Sequence, residues 1–302
     1  MNIKKVISML ERGGFFQWVP TRVFLKSKYK RLLGVDLHLD DPETFNEKLQ
    51  WLKVYYAQNL NYMYTTMADK VLAKNYVAEK IGAEHIIPTL GVWDSFDDID
   101  FDKLPQQFVL KTNHDSGGVV VVRDKNKLDK KAAKHKLEKS LHRSFYWYGR
   151  EPQYKDIKPK LFAESYMQDS KSEELRDYKF YCFNGKPEFL YVSEGMEKHS
   201  TARVSFLTVN EWKPASFGRT DYKRFDSLPT PPKRLEEMVE LARTLSKDIP
   251  FLRVDLYEIE GNVYFGELTF FPCSGFMPFD PVEADKEVGK MLILPSQNKK
   301  EG

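Results

Sequence analysis

Cysteine is nearly absent. The 302 residues hold two, Cys182 and Cys273, and neither sits in a Cys-x-x-Cys pair, so neither a disulfide framework nor a thiolate metal centre is expected. A reduced, cytoplasmic setting fits that usage. Long apolar runs are missing too. Nothing approaches the ~20 consecutive apolar residues of a membrane span. The opening "MNIKKVISMLERGGFFQWVP" is cut by Glu11 and Arg12 before it could serve as a signal peptide. Charge of one sign does not dominate: 47 Lys and Arg stand against 44 Asp and Glu, a net +3, which argues against a dedicated nucleic-acid binder. The absence of GxGxxG and GxxxxGK[ST] excludes Rossmann-type and Walker-type phosphate loops. There is no GxSxG elbow and no Cys/His nucleophile pair. His38, His85, His135, His142 and His199 show no metal-ligand spacing, and internal repeats and low-complexity tracts are lacking.

What is present is 41% apolar and 14% aromatic residues, enough for a sizeable core in one large domain or two or three smaller ones. In residues 1–40, Arg22, Lys26, Lys28, Lys30 and Arg31 are interleaved with Val23, Phe24, Leu25, Tyr29 and Leu32. Two readings stand: a helix that touches a membrane surface or an acidic polymer, or a helix packed on the body with a solvated basic face. A helix is expected from about Pro42, with Phe45, Leu49, Leu52 and Tyr56 on one apolar face. A second covers "TTMADKVLAKNYVAEKIG", with Thr66 and Asp69 as a capping box and Gly82 as terminator. Strands are expected in "IIPTLGVW", "FVLK", "VVVVRD" and "KLFAESYM", and helices in "LDKKAAKHKLEKSLHR" and "PKRLEEMVELARTLSK". Hairpins are expected in "DYKFYCFNGKPEFLYVS", turning at Asn184 to Pro187, and in "FLRVDLYEIEGNVYFGELTF". Helices alternating with hairpins make the expected class α+β with largely antiparallel sheets.

Four stretches carry chemistry. In "FVLKTNHDSGG", Val109 and Lys111 share one strand face and Leu110 and Thr112 the other. A lysine on a buried-looking strand needs an anionic partner, and a Ser-Gly-Gly turn can expose backbone N–H groups to an anion. The stretch reads as a phosphate clamp or as a hairpin turn with a snorkelling lysine. In the last hairpin, a three-residue loop of Glu260, Gly261 and Asn262 sets Asp255 opposite Glu267, whereas a two-residue loop sets them on opposite faces. Facing carboxylates suit Mg²⁺, or a salt-bridge cluster with Arg253 and a lysine. Lys179 shares a face with Asp177 and meets either a ligand or that acid. Glu164 takes ribose hydroxyls or faces water from an edge strand. The aromatic run from Phe145 to Tyr154 stacks on sugars or packs under a loop.

Taken in order, "TFNEKLQWLK", "ADKVLAKNYVAEKIG", "IPTLGVWDSFDDIDFDKLPQQFVLK", "HDSGG", "YGREPQYKDIKPKLFAE", "DYKFYCFNGKP" and "FLRVDLYEIEGNVYFGELTFFPCSGF" resemble the TupA-like family of the ATP-grasp superfamily, associated with teichuronopeptide and capsular polysaccharide biosynthesis. The likeness runs from about residue 41 to 295. It implies two α+β subdomains with antiparallel sheets clamping ATP. The implied organisation is an N-terminal helical segment (1–40), pre-ATP-grasp and lid portions (41–163), a core (164–295) and a tail (296–302). It implies Lys111 on the α-phosphate, His114, Ser116, Gly117 and Gly118 over the β- and γ-phosphates, and Phe162, Ala163 and Glu164 at an adenine- and ribose-binding hinge. Lys179 becomes a second basic contact, Arg253 faces the transferred phosphate, and Asp255, Glu267 and Thr269 form the Mg²⁺ site. Lys70 becomes a position near the entrance.

The implied activity is ATP-dependent carboxylate–amine ligation through an acylphosphate, decorating an acidic surface polysaccharide with an amino acid or peptide. The implied setting is the cytoplasm or the inner face of the membrane, with residues 1–40 as a peripheral contact. Two other readings are a glycosyltransferase of the same pathway and a nucleotide-binding module without catalysis. Two residues depart from the family pattern. Asp115 replaces a glycine in the phosphate loop, and Thr269 stands where many ATP-grasp enzymes carry an asparagine metal ligand.

Overall fold

The computed structural model describes residues 3–169, 175–196 and 200–295. In chain order the helices and strands begin α1 Ile3–Arg12, α2 Thr21–Leu33, α3 Phe45–Asn59, α4 Tyr62–Ala68, α5 Leu72–Ile81, β1 Thr89–Trp93, β2 Phe108–Thr112, β3 Val119–Val122, α6 Lys130–Leu141, α7 Phe145–Gly149 and β4 Leu161–Ser165. They continue as β5 Asp177–Phe183, β6 Lys186–Glu194, β7 Arg203–Thr208, β8 Gly218–Arg219, α8 Leu235–Ser246, β9 Phe251–Ile259, β10 Asn262–Thr269, β11 Phe279–Asp280 and α9 Ala284–Met291. Two compact units result: Met1–Phe24 with Tyr56–Glu173, and Leu25–Tyr55 with Glu174–Gly302. This division differs from boundaries at 40/41 and 163/164, because each unit is assembled from two separate chain segments. The tail 296–302 and His199 lie outside the described residues.

The first unit is built on a sheet of order β1-β4-β2-β3, antiparallel throughout. Strand alternation buries Phe108, Leu110 and Thr112 on one face of β2 and leaves Val109 and Lys111 half-buried on the other. Helix α6 covers the apolar face with Ala133, Leu137 and Ser140, spaced four and three apart, while its lysines stay outside. The aromatic run packs on itself: the Phe145 and Tyr154 rings lie 4.9 Å apart edge to face.

Two helix starts depart from expectation. α3 begins at Phe45, after Pro42, because Thr44 closes a capping box there. Its Oγ1 accepts the Glu47 N–H at 3.2 Å, and the Glu47 carboxylate accepts the Thr44 N–H at 3.1 Å. The expected single helix over 65–82 is two. Thr66 lies inside α4, and Asp69 caps the next helix by accepting from the N–H groups of Val71 and Leu72. Gly82 ends α5 at φ 107°.

The second unit holds a sheet of order β10-β9-β5-β6-β7, again antiparallel. Phe180, Cys182, Leu252, Val254 and Leu256 are fully buried on the face where α8 packs, the Cys182 thiol lying 3.9 Å from the Ala242 carbonyl. The alternate residues Asp177, Lys179 and Tyr181 of β5 and Arg253, Asp255 and Tyr257 of β9 share the opposite face. At one end of that face Phe45 of α3 inserts its ring against Phe251, at 4.9 Å, and Phe183, at 5.8 Å. The β5–β6 turn is Asn184-Gly185 alone, both at positive φ, with Lys186 already paired to Phe183. Among the described residues no helix is long and apolar enough to cross a membrane.

Candidate functional site

Each unit carries a buried ionic cluster among its described residues. In the first, Lys111 of β2 pairs with Glu164 of β4 on the half-buried face, on a diagonal between the partners Val109–Glu164 and Lys111–Phe162. Lys74 of α5 reaches the other carboxylate oxygen at 3.0 Å and also donates to the Ile87 carbonyl and the Thr89 hydroxyl. Burial would raise the Glu164 pKa, but the ammonium groups of Lys111 and Lys74 outweigh it and hold the carboxyl below its usual range. Burial lowers the Lys74 pKa. Lys74 carried no motif. The available signal was a lysine beside Ala73 and one turn before Val77, on the buried side of its helix.

Glu164 is therefore not an edge-strand acid facing water: β4 is an interior strand and the carboxylate is buried. Phe162 lies on the ionic face, 5.5 Å under the Lys74 ammonium. Ala163 belongs to the apolar cluster on the other face, away from Lys111.

The β2–β3 turn is pinned more than its glycines suggest. Asp115 turns inward, accepting from the Thr112 and Ser140 hydroxyls and, at 3.1 Å, from the Gly118 N–H. Those hydrogen bonds overcome the cost of burial and keep it ionised, with its pKa lowered. The Asp115 backbone carbonyl accepts from the Lys70 ammonium at 2.7 Å. His114 is buried, its Nε2 3.1 Å from the Arg143 carbonyl. Gly118 is required sterically, since a Cβ there would sit 2.2 Å from Thr112 Oγ1 and 2.5 Å from Ser140 Oγ. Ser116 and Gly117 stay exposed at the tip. Asn113, which no motif flagged, ties the base of the turn to Asp69 at 2.8 Å and to the Lys158 carbonyl at 3.0 Å.

In the second unit Glu267, Asp255 and Lys179 form a row across three strands. The β9–β10 loop has two residues, Glu260 and Gly261, not three. The facing of Asp255 and Glu267 survives because a bulge at Gly266 adds one residue to β10 and restores the parity. Arg253 grips Asp255 with two parallel hydrogen bonds of 2.7 Å and donates to Thr269 Oγ1 at 3.0 Å. Lys179 bridges Asp255 at 2.6 Å and Asp177 at 3.2 Å. Burial opposes ionisation of Asp255, yet Arg253 and then Lys179 hold its pKa below the usual range. Against the effect of burial, Asp177 and then Asp255 lift Lys179, and Asp255 lifts Arg253, well above their usual ranges. Glu267 is half-buried and receives the Thr269 hydroxyl at 3.3 Å. The Tyr181 hydroxyl, on the same face, is buried without a hydrogen-bond partner among the described residues.

The oxygens of Asp255, Glu267 and Thr269 form a hard donor set of the type Mg²⁺ takes. Glu267 meets no cation at salt-bridge distance among the described residues, while Asp255 already meets two. In this structure Asp255 is the centre of a salt-bridge cluster with Arg253 and Lys179, and Glu267 is the more available of the two carboxylates.

Residues 47–293 match the model of the TupA-like ATPgrasp family. No curated protein matches the chain. Among solved structures it is similar to D-alanine–D-alanine ligase from Bacillus anthracis, with 15% identity, 68% of this chain and 57% of that one covered, and a TM-score of 0.39. The Helicobacter pylori D-alanine–D-alanine ligase gives 19% identity over 75% of this chain and 61% of that one, with a TM-score of 0.38. N5-carboxyaminoimidazole synthase from Aspergillus clavatus gives 13%, 77%, 53% and 0.39 for the same measures. The chain thus spans less than two thirds of the length of each. The family match covers most of the chain, and the α+β architecture with antiparallel sheets agrees with it: the protein belongs to the TupA-like ATP-grasp family.

Proposed function

We propose that the protein is an ATP-dependent carboxylate–amine ligase. One observation carries the reading: the row Glu267–Asp255–Lys179, with Arg253 beside it, on the sheet face opposite α8. It gathers cations for phosphate charge and paired carboxylates for a metal on rigid strands. Asp255 and Glu267, with Thr269 beside them, hold Mg²⁺, which when bound neutralises phosphate charge. Lys111 binds phosphate in place of Glu164, and the Ser116–Gly117 tip offers backbone N–H groups to the same anion. Lys179 and Arg253 stabilise charge on the transferred phosphoryl group.

The substrate carboxylate attacks the γ-phosphorus and ADP leaves. An amine then attacks the acylphosphate carbonyl, and the C–O bond breaks to release phosphate and leave an amide. Positioning and charge neutralisation suffice for both steps. The substrates we assign are an amino acid or peptide and a uronic-acid-bearing surface polysaccharide, joined on the cytoplasmic side at the membrane's inner face.

The test is ADP release by the purified protein with MgATP, single amino acids and uronic-acid oligosaccharides. Release that requires both a carboxylate and an amine supports the ligase. UDP release from a sugar nucleotide points to a glycosyltransferase instead. Tight MgATP binding without turnover on any pair points to a binding module.

A further inference from the structure

The turn between α1 and α2, with the helix ends that flank it, displays what a folded surface normally hides. Trp18 is 75% exposed, Met9 62%, Phe15 60% and Val23 57%. All four fall within residues 9–23, and large apolar side chains exposed along one stretch of surface mark a contact site. The turn is held firmly rather than dangling. Arg150, itself buried, donates to the Phe16 carbonyl at 2.6 Å and to the Val19 carbonyl at 3.2 Å. Its guanidinium lies 4.6 Å from the Trp147 ring and 4.7 Å from the Phe24 ring. The backbone is thus clamped from within, with Phe15 and Trp18 outward.

Charge says what the surface fits. Residues 1–35 contain eight Lys and Arg and one acid, Glu11, a net +7, so the remaining residues sum to −4 within the chain's +3. Glu11 is buried, whereas Arg12 and Arg22 are exposed, with Lys26 one turn beyond Arg22 on the same helix. Exposed Trp and Phe between basic side chains are the pairing that seats a protein on a lipid headgroup layer, aromatic rings at the acyl boundary and cations among the phosphates.

We propose that Met9, Phe15, Trp18 and Val23, flanked by Arg12 and Arg22, form a docking surface for an anionic lipid bilayer. The proposal gives the membrane-face setting of the ligase a specific surface, but it does not depend on the ligase chemistry. Two signals act together, apolar insertion and charge attraction, so binding is reversible and weakens with salt.

The test is flotation of the full chain with vesicles of phosphatidylcholine alone and of phosphatidylcholine mixed with phosphatidylglycerol. The expected result is binding at least about tenfold stronger to the anionic vesicles, reduced by salt and lost about tenfold in the Phe15→Ser/Trp18→Ser variant. An Arg12→Gln/Arg22→Gln variant should lose the anionic preference. Unchanged circular dichroism and melting of the variants would tie the loss to the surface. No vesicle binding by the wild-type chain overturns the proposal, as does full binding by the Ser variant. Overturning it too would be a self-association of the wild-type chain, without lipid binding, that the Ser variant abolishes: the surface then joins two copies. Lys111→Ala should float like the wild type, so loss of nucleotide chemistry and loss of lipid binding are separately read.

Discussion

Asp255 and Glu267 face each other across β9 and β10 because Gly266 adds one residue to β10 between Glu267 and the turn. A Cβ at Gly266 would lie 2.9 Å from the Tyr257 ring and 3.1 Å from the Asp255 carbonyl oxygen. Gly266→Val should therefore cost about 1–3 kcal/mol through overpacking. Deleting Gly266 should move Glu267 to the other face and abolish Mg²⁺-dependent ADP release. Denaturant melts and the ADP assay check the two; a fully active deletion variant would place the metal elsewhere.

Lys74 and Lys111 grip the same carboxylate but should fail differently. The Lys74 side chain is 11% exposed and that of Lys111 28%. Lys74→Met breaks a buried pair and should destabilise by about 3 kcal/mol, toward the low end because Lys111 still meets Glu164. Lys111→Met should instead show its main loss in ATP affinity. Chemical denaturation beside calorimetric titration separates them, and unchanged ATP affinity in Lys111→Met would remove this lysine from the phosphate site.

Glu164 has a folded-state pKa below its ordinary 4.5. Its unfolded form binds protons first as pH falls, so its contribution to stability is complete above about 4.5 and is lost as pH drops through the folded value. Stability should fall less steeply below that pH in Glu164→Gln than in the wild type. Equal slopes in urea melts across the acid range would show that the lysines do not depress this carboxyl.

Asp115→Gly restores the glycine that the family pattern carries and removes the acceptor shared by Thr112, Ser140 and Gly118. Loss of these buried charge-assisted bonds should cost about 1–3 kcal/mol. Exchange of the Gly118 amide should also accelerate. Hydrogen exchange with mass spectrometry measures it; unaltered protection would mean that the aspartate does not hold the turn.

Much of the framework was legible in the sequence. Phe45, Leu49, Leu52 and Tyr56 are all buried, as their spacing requires, but so are Asn46, Glu47, Gln50 and Lys53, which leaves α3 buried nearly all round. The alternation in "FVLKT" separated Lys111 from the core. Hydrophobic periodicity reported which apolar side chains are buried, but not the polar ones that α3 buries beside them. It does not report where helices break or how side-chain hydrogen bonds close. Asp69 ends one helix and starts the next, and Thr44 sets a start that Pro42 alone suggested earlier. The Asp255–Glu267 pairing was anticipated from a loop length that proved one residue too long, and a bulge supplied the missing residue. Lys74 and Asn113 escaped notice because their partners are distant in sequence. The inward turn of Asp115 depends on Ser140, 25 residues away.

That inward turn bears on motion. Of the turn's six residues, His114 is held at the Arg143 carbonyl, Asp115 at Ser140, and Gly118 at Asp115. Ser140 lies in the last turn of α6, and Arg143 follows that helix. Only Ser116 and Gly117 can swing by themselves. A larger displacement must either break the Asp115 latch or drag α6 along, so any movement of the β2–β3 turn is geared to a helix rather than to the freedom of its glycines.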